Sequence, residues 1–255
     1  MQPGSKLRAT SIAVLAVVAI VGRAAVVAGI RSFGNRADEA GAVLGSVQVA
    51  GSESMRPVVT RCAEDFMTRN PQADIIVKGG GSGDGIAALL HGLVDIGMAS
   101  RELSRRELDY AQSQGVSLAV SGLALDGIST VVNRAVSLGA LELGNCATSS
   151  GKTRNWRELG GEAIDILVFA RAEGSGTAAL FAERVLGGEF YGASVSRLST
   201  NEAIVAEVAA RPGAIGYSDL GVAKLAGDRI RVLALRREAQ ARPILPTSAT
   251  VRDGS

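Results

Sequence analysis

The chain has 255 residues, 47% of them apolar and 20% charged, with a formal net charge of +2. That length can bury a substantial core in one or two lobes, and a nearly balanced charge without a Lys/Arg block gives nucleic acid no electrostatic footprint. One histidine, two cysteines and 4% aromatic residues argue against a metal cluster, a disulfide framework or a binding face of stacked rings.

Lys6 and Arg8 precede an apolar run from Ile12 to Val21, and mostly small residues follow from Ala24 to Gly29. A basic stretch before a short apolar one predicts an export signal over residues 1–30. Arg23 cuts the run short of a comfortable membrane span, although the segment would serve as an uncleaved tether if Arg23 snorkels to the interface. A polar linker is expected over 31–45. Cys62 and Cys146 could pair in an oxidising compartment, and neither follows the apolar run closely enough to carry a lipid.

From Ser46 onward, short apolar runs alternate with helical stretches. Strands are predicted at Val47–Ala50, Ala73–Lys78, Asp95–Ala99, Leu118–Leu125, Ile128–Asn133, Ile164–Ala170, Ala214–Tyr217 and Ile230–Leu235. Helices are predicted at Met55–Arg69, Gly83–His91, Ala178–Val185 and Glu202–Ala210, the last stopped by Pro212-Gly213. Such alternation implies an α/β fold with largely parallel sheets.

Three places share one design, in which a strand ends, a Gly/Ser turn follows and a helix begins. They are Gly51-Ser52-Glu53-Ser54-Met55, Gly79-Gly80-Gly81-Ser82-Gly83 and Arg171-Ala172-Glu173-Gly174-Ser175-Gly176-Thr177. Each exposes orphan backbone N–H groups at a helix N-terminus and adds a hydroxyl. A single such turn is an ordinary helix cap; three in one chain, one headed by an arginine, point to a shared tetrahedral anion. Hydrogen bonds to a charged group contribute roughly 1.5–3 kcal/mol each. Eight or so would offset the cost of association and leave about 8 kcal/mol, the micromolar range, with no cofactor or metal.

Enzyme motifs fit poorly. Gly151-Lys152-Thr153 ends like a P-loop, but the leading glycine would fall on Cys146. Gly83-x-Gly85-x-x-Ala88 is a common turn-helix pattern, and Ser175 lacks the nucleophile-elbow context. His91 reads as a packing residue on a short helix.

The segments Val49–Pro57, Gly79–Gly85, Val94–Leu103, Asn155–Gly160, Arg171–Thr177 and Pro212–Tyr217 resemble, in order and spacing, the substrate-binding proteins of ABC phosphate importers. The resemblance runs from about Ser46 to the C-terminus. It implies a two-lobed periplasmic-binding-protein-like fold of type II, with the ligand between the lobes. Lobe 1 would comprise 46–125 plus 218–255, lacking the family's last strand and helix, and lobe 2 would comprise 126–217. The implied function is capture of inorganic phosphate and delivery to a membrane permease by an exported monomer that is not an enzyme. Sulfate, molybdate or tungstate binding, or a shortened non-transport relative, are the alternatives.

Carried onto this sequence, the resemblance assigns ligand contacts to the Ser54 hydroxyl, the Met55 backbone N–H, Ser82, Arg171, Ser175, Gly176 and Thr177, with Ser100 and Arg101 at the rim. Some relatives have Asp where Arg101 stands, accepting the proton of bound hydrogen phosphate. Glu173 is the remaining candidate acceptor, or else the partner of a salt bridge that fixes Arg171. Asp126 begins a segment that resembles an interlobe crossing and is expected to have a structural hinge role.

Overall fold

The computed structural model describes residues 12–20, 45–146, 154–188 and 195–253. The P-loop-like Gly151–Thr153, most of the signal and linker segments, and the Cys146 side chain lie outside the described residues. Two compact units emerge, one of Val14–Ala124 with Gly174–Gly176, the other of Leu125–Glu173 with Thr177–Ser255.

The first unit contains β1 (Ile12–Ile20), β2 (Gly45–Gly51), α1 (Arg56–Arg69), β3 (Ala73–Lys78), α2 (Ser82–Leu90), β4 (Ile96–Ala99), α3 (Arg105–Ser113) and the start of β5 (Leu118–Asn133). Its sheet runs β3-β2-β4-β1-β5. β2 lies parallel to β3 and to β4, and β1 is antiparallel to β4. Alternation in β3 turns Ile75 and Val77 inward and leaves Asp74, Ile76 and Lys78 exposed, the period-two signature of a half-buried strand. Val49, Met55 and Met98 form one buried cluster, and Ile86, Leu90, Ala99 and Ala111 form another. Strand β1 lies within the segment 1–30 expected as an export signal. Helix α3 had no sequence-based prediction, although its Ser104/Glu107 capping box is visible in the sequence.

The second unit contains the rest of β5, β6 (Ala140–Glu142), α4 (Leu143–Cys146), a 3₁₀ turn at Trp156–Leu159, β7 (Leu167–Arg171), α5 (Gly176–Arg184), β8 (Ser196–Leu198) and α6 (Asn201–Ala210). It ends with β9 (Ala214–Asp219), α7 (Leu220–Ala226), β10 (Ile230–Val232), β11 (Ala234–Arg236) and α8 (Ser248–Asp253). Here the order is β8-β7-β9-β5, with β10 added to β5. β9 is buried along its whole length because apolar clusters lie on both of its faces. On one side Trp156 donates its indole N–H to Gly213 O at 2.8 Å, and Phe181 stacks on Tyr217 with centroids 4.2 Å apart. The other side packs Ile204 and Val208 of α6 with Ala223 and Ala226 of α7.

Three sequence expectations need correcting. Leu118–Leu125 and Ile128–Asn133 are one continuous strand, since Asp126-Gly127 does not break it. Ile230–Leu235 is two strands, because Val232 pairs with Val131 whereas Leu235 pairs with Leu141. Residues 218–255 group with the second unit, not with 46–125, because β10 hydrogen-bonds to β5 at Ile230–Asn133 and α7 closes the Val131–Phe169 cluster. Among the described residues, no helix is long and apolar enough to cross a membrane.

Asp126 lies within β5, and its carboxylate accepts the Gly127 N–H at 2.8 Å. Burial, and then the charge of Asp219, raise its carboxyl to about 6, against the pull of the Gly127 and Leu220 N–H groups and Lys224. The folded chain therefore binds a proton between pH 4 and about 6 that the unfolded chain has released, so stability falls as pH rises through that window. At neutral pH the ionised carboxylate costs on the order of 3 kcal/mol. Asp126→Asn should raise the denaturation midpoint at pH 7.5 and leave it nearly unchanged at pH 4, as urea titrations at the two pH values would show.

Candidate anion site

The first turn follows β2. Ser52 N–H donates to Met98 O at 2.9 Å, tying the turn to β4, and α1 starts at Arg56 with Pro57 in its first turn, where a missing N–H costs nothing. Met55 is fully buried in the Val49/Met98 cluster, and its N–H donates within the turn to Ser52 O at 3.2 Å. That amide, expected as an anion donor, is thus used by the turn itself. Ser54 is half-buried beside it.

The second turn places α2. Gly81 has φ +140°, which only glycine adopts readily, and its N–H donates to Gly51 O at 3.0 Å. Gly83 N–H donates to Gly174 O at 2.9 Å, and a Cβ on Gly81 would stand 2.8 Å from that same oxygen. The loop Gly174–Gly176 is therefore seated on the N-terminus of α2.

Ser82 opens α2, fully buried, and its hydroxyl accepts the Ser100 N–H at 3.0 Å and lies 3.2 Å from the Ser100 hydroxyl. A Cβ on Gly176 would overlap the Ser82 hydroxyl and stand 2.5 Å from that of Ser100. Ser82, Ser100 and Gly176, the first residue of α5, thus converge from three separate stretches of sequence. The acid beside this loop is Asp84 in the first turn of α2, since a Cβ on Gly174 would lie 3.6 Å from either of its oxygens. Sequence reasoning did not single it out.

Arg171 ends β7 and is only 1% exposed. Its N–H donates to Tyr217 Oη at 2.9 Å, and its guanidinium donates to Asn201 Oδ1 at 2.6 Å and to Ser199 O at 2.7 Å. Asn201 in turn donates to Asp219 Oδ2 at 2.5 Å, and Asp219 caps α7 through Val222 N–H. Burial raises the Asp219 carboxyl, partly offset by those two hydrogen bonds. Glu173, for which two roles were considered, is exposed, and Asn201 and Ser199 brace the Arg171 guanidinium. Ser175 and Thr177 flank Gly176 and are buried at 5% exposure each.

Arg101 is committed elsewhere. Its two terminal nitrogens donate to the two Glu107 oxygens at 2.8 and 2.7 Å, a bidentate fork, and one also reaches Glu102 O. Burial opposes the Glu107 charge, but Arg101 and Ser104 outweigh it and hold the carboxyl below its ordinary value. The fork fixes the start of α3. Arg101→Ala should accordingly change anion affinity less than threefold, while costing about 1 kcal/mol of stability at pH 7, a partly exposed pair being worth little more. Parallel calorimetry and denaturation would check both parts.

The residues that brace the arginines escaped sequence reasoning. Glu107 was findable, three positions after Ser104 in a capping-box pattern. Asn201 was not, because a residue thirty positions from Arg171 leaves no local signature.

The chain is 34% identical over 194 residues to the phosphate-binding protein PstS of Bacillus subtilis, covering 75% of this chain and 62% of that protein's length. A Clostridium perfringens protein solved with bound phosphate superposes with a TM-score of 0.68 at 27% identity, covering 82% of this chain and 89% of that one. An ABC-type phosphate transport receptor from Vibrio cholerae gives a TM-score of 0.64 at 25% identity, over 82% and 81% of the two chains. Residues 36–255 match the PBP superfamily domain, and the chain belongs to that family.

Proposed function

We propose that this chain captures inorganic phosphate outside the cytoplasm and delivers it to the permease of an ABC transporter, as an exported monomer that does no chemistry on the anion. The observation that carries this reading is the convergence of the Ser82 and Ser100 hydroxyls on Gly176, at the N-termini of two nine-residue helices. Hydroxyls and helix N-termini suit a tetrahedral oxyanion. Ser54, Ser175 and Thr177 are proposed as further hydroxyl donors, and Arg171 as the source of positive charge. Relatives named for phosphate binding in Bacillus subtilis and solved with phosphate from Clostridium perfringens support the choice of anion.

Sulfate is the rival ligand. Arg101 stands where some relatives carry the proton acceptor, and Glu173 is exposed; a fully ionised oxyanion needs donors alone. Calorimetric titration separates the two, after endogenous ligand is removed by partial unfolding and refolding. Micromolar phosphate binding with sulfate at least a hundredfold weaker is expected. Preferential sulfate binding would replace phosphate by its rival, and a folded chain that binds neither would overturn the reading.

A further inference from the structure

Glu53 is an unusual residue to find beside an anion seat, because a carboxylate there repels the ligand. Its side chain is only 11% exposed and both oxygens are used. Oε1 accepts Gly80 N–H at 2.9 Å, and Oε2 accepts Arg56 Nε–H at 2.8 Å. The first bond crosses from the turn after β2 to the turn after β3, 27 residues away. The second sets a guanidinium against the carboxylate and offsets its charge.

Gly79 is fitted to this contact. Its φ is negative, so its conformation does not demand glycine. Space does, since a Cβ there would overlap Glu53 Oε1 and stand 2.5 Å from the carboxyl carbon. Downstream, Gly81 N–H bonds to Gly51 O and α2 begins at once with Ser82. Glu53 thus grips the loop immediately before the helix that presents the Ser82 hydroxyl.

We infer that Glu53 is a positioning residue for the anion site: it clasps Gly80 and sets the loop that presents Ser82, with Arg56 neutralising its charge and Gly79 leaving it room. The inference rests on the phosphate reading above, and one of its tests is independent of any ligand. The clasp predicts coupling between Glu53 and Gly79 that neither residue's own packing would produce.

The experiment compares Glu53→Ala, Glu53→Gln, Gly79→Ala and the double variant Glu53→Ala/Gly79→Ala in the full chain. Phosphate affinity is read by calorimetry, and Gly80 amide exchange by NMR without ligand. Glu53→Ala should weaken phosphate at least tenfold, whereas Glu53→Gln, which retains an acceptor for Gly80 N–H, should stay within threefold of the parent. Gly79→Ala should weaken phosphate tenfold alone and change it less than twofold once Glu53 is alanine. A glutamine variant as weak as the alanine one, or additive effects at the two positions, would overturn the clasp. If the parent chain binds no phosphate, the functional reading fails while amide exchange still judges the inference. Faster Gly80 exchange in Glu53→Ala but not in Glu53→Gln supports it, and equal exchange in all three proteins refutes it.

Discussion

Gly176→Ala is expected to abolish useful phosphate binding, with a loss of at least a hundredfold, about 2.7 kcal/mol, in a chain that still folds. The added Cβ would overlap the Ser82 hydroxyl and press on that of Ser100. Neither serine can step aside cheaply, because both are buried and the Ser82 hydroxyl holds the Ser100 N–H. Rotating Ser82 away would strand that amide, a cost of about 1–3 kcal/mol, so the start of α5 must move instead. That displacement takes the helix N-terminus away from the two hydroxyls proposed to share the anion with it. Gly122→Ala is the control, since a Cβ there meets nothing within 4 Å. Calorimetry with phosphate should show the first variant silent and the second like the parent. Affinity within threefold of the parent in Gly176→Ala would remove this convergence from the binding site.

The three Gly/Ser turns and the strands and helices from β2 to β4 were legible because each is written locally. β3 alternates with period two, and each anion turn carries its hydroxyl and glycines within a few residues of a helix start. Helix α3 was missed despite its local capping box, but other failures came where the deciding contact is remote in sequence. Val232 and Leu235 are three residues apart yet belong to different sheets, since their partners are Val131 and Leu141. Residues 218–255 joined the second unit because β10 completes the edge beside β5, a pairing no local pattern announces. The family resemblance led sequence reasoning to give Arg101 a ligand role that its fork to Glu107 now occupies. Glu53 shows the converse. Sequence reasoning gave it no role, and only the Gly80 and Arg56 contacts reveal how a carboxylate fits there.

Arg171→Ala should lower phosphate affinity by roughly 2 kcal/mol or more, about thirtyfold, the order expected when one partner of a buried charge contact is truncated. It should also destabilise the apo chain. Arg171 is 1% exposed and its guanidinium bonds both Asn201 Oδ1 and Ser199 O, so its removal takes a charged donor from the buried Asn201 and from the part-buried Ser199 carbonyl. Each hydrogen bond from a charged donor is worth about 1.5–3 kcal/mol, and a total loss of about 3 kcal/mol is a fair expectation. Because both quantities fall together, a second variant is needed to assign them. Asn201→Ala leaves the positive charge in place while removing one brace and the link to Asp219, so it should cost stability with less than a fivefold loss of affinity. Urea denaturation of the apo proteins beside phosphate calorimetry reads the two effects separately. Should Arg171→Ala be destabilised yet bind phosphate like the parent, the arginine would be a strut for the ends of β7 and α6, and the anion would rest on hydroxyls and helix N-termini alone.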